Sequence, residues 1–123
     1  MEGPFQLSSS VIDAVVGDPR PAVFLLRRIE TTPAYAHYRG LVGRTQRGES
    51  LGSALARWVG PGYRVFWFEH ADSDRDAFER ECRLWHDLDG DAGTLDNDCH
   101  PRPDGISGGY CPLCTASARN GAA

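Results

Sequence analysis

The sequence predicts an α+β fold: a small three-stranded sheet flanked by helices, followed by a coil that something must pin. Three observations lead there. Short apolar runs of strand length lie at 22–29, 37–42 and 63–69. Helix-period segments opened by serine caps lie around them, at 10–16, 50–58 and 74–88. No periodic pattern follows Asp89, and a structureless stretch of that length in a compact domain needs support. A chain of 123 residues is one domain by size. It divides into an N-terminal helix and extension (1–20), the α+β unit (21–98) and a tail (99–123) packed on the same domain.

Residues 1–7 carry no periodic signal and are expected to be loose. Ser10 caps a short helix through Val16, and Gly17-Asp-Pro-Arg-Pro21 ends it. Ala22 to Ile29 (AVFLLRRI) reads as a buried strand from its short apolar run. Pro33 breaks the connection after it, and His37 to Val42 pairs back as the second strand of a hairpin. Gly43-Arg44-Thr45 leaves that strand into a polar loop. Ser50 then caps a helix with Leu51, Ala54, Leu55 and Trp58 on its inner face, stopped by Gly60-Pro-Gly62. Tyr63 to Glu69 (YRVFWFE) is apolar on both faces and is expected to be central.

The segment from Asp74 to Leu88 carries the chemistry. Ser73 with Asp76 is a capping-box start, and Asp72 and Asp74 suit the positive end of the helix dipole. Phe78, Trp85 and Leu88 form the apolar stripe, with Ala77 and Leu84 beside them. Glu81 falls inside that stripe, and an inward carboxylate is costly unless paired, hydrogen-bonded or coordinated. Cys82 and His86, four apart, share one edge of the helix.

All 13 basic residues are Arg, so every cationic site is a fork-shaped donor suited to phosphate or carboxylate. The net charge of −4 argues against a general nucleic-acid binder. Residues 19–64, however, hold a balance of +6 and residues 65–123 one of −7. The basic half either presents an anion-binding face or is neutralised by the acidic half in the fold. Arg39 and Arg47 read as solvated surface, and Trp58, Trp67 and Trp85 as core. No apolar run approaches a membrane span and the N-terminus lacks the pattern of a signal peptide, so the expected location is cytoplasmic, with no membrane partner. There, four cysteines are expected to be thiols or metal ligands.

Cys111-Pro-Leu-Cys114 lies in a coil rich in Gly and Pro, the setting of a zinc knuckle rather than of a thioredoxin-like turn. Tetrahedral zinc needs two further ligands, and Cys82 and His86 offer them while pinning the tail to the helix. His100 and Cys99 are the reserve pair. Two disulfides, or thiols unrelated to one another, are the competing readings of the four cysteines.

The element order resembles the GIY-YIG nuclease superfamily over about residues 21–98: hairpin, Gly-x-Thr turn, helix, third strand, helix with an inward Glu, then an Asn-bearing loop. The chain looks closest to small bacterial members whose tail reads as Leu95-Asp-Asn-Asp-Cys-His-Pro-Arg-Pro103 and then Cys-Pro-x-Cys does here. The resemblance implies a small antiparallel sheet carrying a phosphodiesterase site. Glu81 matches the family's metal-holding Glu, Asn97 its Asn, and Gly43-Arg44-Thr45 its Gly-basic-Thr. Three positions depart. The first strand reads Ala22-Val23-Phe24 in place of the aromatic motif, Leu41 replaces the second-strand Tyr, and Ala54 stands where the family has its helix Arg. Arg57, one turn beyond Ala54, and His37 or Tyr38 are the candidates to replace what is missing, although alternation puts Tyr38 on the face opposite residue 41.

Two functions of different class follow. One is a GIY-YIG-like, zinc-stabilised protein with an anion- or phosphate-binding cleft and a degenerate or redirected site: a binding module, or an enzyme on a small anionic substrate. The other is a metal-dependent phosphodiesterase or DNA endonuclease. In that reading Glu81 holds magnesium or manganese, Arg44 and Arg57 bind phosphate, and His37 or Tyr38 assists the attacking water. The third course for Glu81 is a buried ion pair with Arg44 or Arg57.

Overall fold

Three serines set the helix starts. Ser8, Ser50 and Ser73 each take extended backbone, and their hydroxyls accept from the amides of Val11 (3.3 Å), Ser53 (3.2 Å) and Asp76 (3.0 Å). The cap of the first helix is therefore Ser8 rather than Ser10, two residues earlier than the sequence suggested. The computed structural model describes residues 1–31, 36–103, 105 and 111–114, without the side chains of 29–31, 36–39 and 91. Its elements run β1 (Glu2–Gln6), α1 (Ser9–Val15), β2 (Ala22–Thr31), β3 (Ala36–Arg44), α2 (Leu51–Ala56), β4 (Val65–His70) and α3 (Asp74–Asp87), closed by a 3₁₀ turn at Gly90–Ala92.

The chain is α+β with a four-stranded antiparallel sheet in the order β1-β4-β2-β3. The expectation of three strands is corrected by β1, formed from residues expected to be loose. Phe5 anchors it, its ring 5.5 Å from Phe66 and 5.9 Å from Phe68. Pairing with β4 shifts register between Glu2 and Phe5, across Pro4, which has no N–H to give; proline is tolerated at such an edge. β4 is interior, flanked by β1 and β2, as its apolar faces indicated.

Strand alternation sorts the core into two layers. Ala22, Phe24 and Leu26 of β2, with Phe66 and Phe68 of β4, face α1 and α2 and pack with Leu7, Ile12, Leu51, Ala54 and Leu55. Leu25 of β2 and Val42 of β3 point the other way and pack with Trp85 of α3 and with Leu95. So α2 and α3 cover opposite faces. Leu7 and Ile12 belong to the main core, which makes residues 1–20 part of the body rather than an appendage.

A candidate metal centre beside a buried ion pair

α3 turns Phe78, Glu81, Cys82 and Trp85 inward. Its start matches the sequence expectation in part: Asp76 accepts from the amide of Asp72 at 2.9 Å, not from that of Ser73 as a full capping box would have it.

The segment after α3 returns along the outer edge of β3. Leu95 bridges to Gly40, and the amide of Asp96 donates to the Gly40 carbonyl at 2.7 Å. Asn97 then copies a strand with its side chain: its Oδ1 accepts from the amide of Val42 (2.9 Å) and its Nδ2 donates to the Val42 carbonyl (2.8 Å). Asp96 accepts from the Tyr63 hydroxyl at 2.8 Å and from Arg28 at 3.3 Å. Burial, and then Asp96, push the Tyr63 phenol above its ordinary range.

This route delivers His100 to α3. Its ring lies edge-on to Trp85, 4.9 Å away, and 5.1 Å from His86. Its Nδ1 faces the Pro101 carbonyl at 2.7 Å; donating there fixes the tautomer and leaves Nε2 as a lone pair. Cys111 and Cys114 bracket a single helical turn, with the Cys114 amide donating to the Cys111 sulfur at 3.3 Å.

His86, His100, Cys111 and Cys114 converge, all four ligand atoms within 4.8 Å of one another. The Nε2 atoms of the two histidines are 3.2 Å apart, His86 Nε2 is 3.2 Å from the Cys114 sulfur, and that sulfur is 3.5 Å from His100 Nε2. Bond lengths of about 2.0 Å to nitrogen and about 2.3 Å to sulfur put the corners of a tetrahedral zinc site roughly 3.3–3.8 Å apart. The set fits a metal ion such as zinc in donor type, and the His86, His100 and Cys114 separations lie close to those corners. Burial opposes ionisation of Cys111, but the Cys114 amide and His100 outweigh it and bring the thiol down to about 6.

Cys82, expected as a ligand, is not in this set. It is fully buried against Phe78 and Cys111. Burial, and then Cys111, raise its pKa above the usual thiol range. His100, held in reserve by the sequence reading, takes the fourth corner. The signal was present: Cys82 lies four after Phe78 and three before Trp85, inside the apolar stripe, whereas His86 lies on its edge. Cys99 is exposed and outside the cluster.

Glu81 is 6% exposed and is paired with Arg44 Nη1. Arg44 also donates through Nη2 to the Arg102 carbonyl at 2.6 Å, and its guanidinium carbon sits 5.0 Å from the Phe78 ring. Burial raises the Glu81 carboxyl above its ordinary value; Arg44, and more weakly His100, pull it back. The pairing foreseen as one course for Glu81 is the one present. Arg57 does not join it. It is the exposed cap residue of α2, across the sheet, and pairs with Glu49 at 3.0 Å.

Among the described side chains, the remaining expected site residues do not gather at Glu81. Leu41 and Ala54 pack in the core layer under α1 and α2, away from Glu81. Thr45 is 2% exposed; its hydroxyl accepts from the Ala22 amide at 3.1 Å, tying the end of β3 to the start of β2. Asn97 is engaged by Val42. His37 and Tyr38 pair through their backbone with Glu30 and Ile29, and their side chains lie outside the described residues. Among the described residues, no set of three acid, His or Cys ligands includes Glu81. The Glu81 carboxylate that would hold a magnesium or manganese ion is engaged by Arg44 instead.

No helix among the described residues is long and apolar enough to cross a membrane. No family model, curated protein or solved structure matches the chain.

Proposed function

We propose that this chain is a divergent GIY-YIG-like domain, stapled by one structural zinc ion, that binds a phosphate-bearing or other anionic ligand and does not cut DNA efficiently. The observation that carries this reading is the buried Arg44–Glu81 pair. A carboxylate already neutralised by a guanidinium is poorly placed to hold a catalytic cation. A guanidinium occupied by that carboxylate and by the Arg102 carbonyl has little left for a phosphate. The two family positions that would activate water and stabilise the transition state are Leu41 and Ala54, neither of which carries a polar group. The zinc reading draws support from the His86, His100, Cys111 and Cys114 cluster, which joins the tail to α3. Such a site supplies folding free energy rather than chemistry, because all four corners are protein ligands.

The anion-binding face would lie where the backbones of Arg27 and Arg64 meet, beside the start of β4. Arg27 lies over Trp67 at 5.6 Å, and the Arg64 amide bonds to the Arg27 carbonyl at 2.9 Å, which makes the two arginines backbone neighbours. The test incubates the protein with plasmid and single-stranded DNA in magnesium and in manganese, beside Glu81→Ala. No multiple-turnover cutting is expected. In a parallel binding titration with pyrophosphate or an oligonucleotide, Arg27→Ala and Arg64→Ala should weaken binding. Cutting that disappears in Glu81→Ala would replace this reading with the phosphodiesterase.

A further inference from the structure

We infer that Cys82 and Cys111 form a reversible disulfide site, in which Cys82 resolves an oxidised Cys111 and so couples peroxide to release of the bound metal. Cys82 takes no part in the ligand set, yet it is buried at 0% exposure directly against one of the ligands. The two thiols pack with Phe78 in a small buried cluster of their own. The Cys114 sulfur lies 3.2 Å from His86 Nε2 and 3.5 Å from His100 Nε2 and belongs to the ligand set. Cys82, on α3, is thus the thiol packed against Cys111 that stands outside the ligand set.

The chemistry balances with hydrogen peroxide as oxidant. The Cys111 thiolate attacks one peroxide oxygen; the O–O bond breaks, hydroxide leaves, and Cys111 becomes a sulfenic acid with its metal bond broken. The Cys82 sulfur then attacks the Cys111 sulfur. The S–O bond breaks, and the departing hydroxide takes the Cys82 proton as water. The two sulfurs give up two electrons, and the peroxide is reduced to water and hydroxide. The metal keeps three protein ligands and is released. The new S–S bond joins α3 to the tail, the same two elements that the metal held. Without Cys82, the sulfenic acid is open to further oxidation, which a thiol reductant does not reverse.

Only the release step rests on the zinc reading; the disulfide forms or fails to form whether zinc is present or chelated. The experiment treats zinc-loaded and chelated protein with hydrogen peroxide, maps disulfides by peptide mass spectrometry, follows free zinc, and then adds dithiothreitol and zinc. Wild-type protein should give a Cys82–Cys111 linked peptide pair in both forms, lose its zinc, and regain it after reduction. Cys82→Ala should bind zinc before treatment and fail to regain it. A Cys111–Cys114 disulfide as the main product, or full recovery by Cys82→Ala, would overturn the inference. Should Cys82→Ala not fold, the wild-type peptide map alone decides.

Discussion

Replacing Arg44 by Leu tests what holds Glu81 inside the protein. The two side chains are 9% and 8% exposed, so the pair is shielded from water and from salt. Removing one member of a buried pair costs about 3–5 kcal/mol because the other is left uncompensated. The lower end applies here, since Glu81 can escape by taking up a proton. With about 2.1 cal/mol/K per residue of unfolding entropy over 123 residues, a loss of about 3 kcal/mol lowers Tm by roughly 12 °C. The pH dependence is the sharper readout. Burial already raises Glu81 above its ordinary pKa, and Arg44 is the main group restraining it. A carboxyl with a raised folded pKa gives stability that is full below its unfolded value and is lost as pH rises through the folded value. Arg44→Leu moves that folded value higher still, so its penalty should be largest at neutral pH and smaller in mild acid. Arg44→Leu with Glu81→Leu should recover most of the loss, because a buried ion pair replaced by apolar groups is often neutral. Urea melts at both pH values measure this. An equal loss at neutral and acid pH, or no recovery in the double variant, would refute the account of the pair.

Asn97→Ala removes both side-chain bonds to Val42 and should cost about 2 kcal/mol, with faster hydrogen exchange at the Val42 amide; an unchanged exchange rate would show that Asn97 does not hold the tail to β3. His100→Ala and Cys114→Ser should each lower zinc content and abolish the rise in Tm that added zinc gives, while Cys82→Ala keeps both; metal analysis beside thermal melts separates the three.

The sequence made α3 legible because its cap, stripe and charges agree on one helix. It also showed that Glu81 needs a partner, whether an ion pair, a hydrogen bond or a metal, and it pointed to Cys111 and Cys114 as one motif. Three things were not legible. β1 carries only Phe5 as an apolar anchor, and it is a strand because β4 offers it an open edge, a fact of tertiary structure. The fourth member of the His/Cys cluster depended on where the segment after Leu95 travels, which is set by backbone bonds to Gly40 and by Asn97 on Val42. Those bonds carry His100 over Trp85. Arg57 looked close to Glu81 by analogy of element order, yet strand alternation puts their helices on opposite faces of the sheet.

The most direct test of the metal centre is X-ray absorption at the zinc edge on protein purified without chelator. The account predicts one zinc per chain bound by two sulfurs at about 2.3 Å and two imidazole nitrogens at about 2.0 Å. Three sulfurs and one nitrogen would return Cys82 to the ligand set and remove His100, and the absence of zinc would contradict the account altogether.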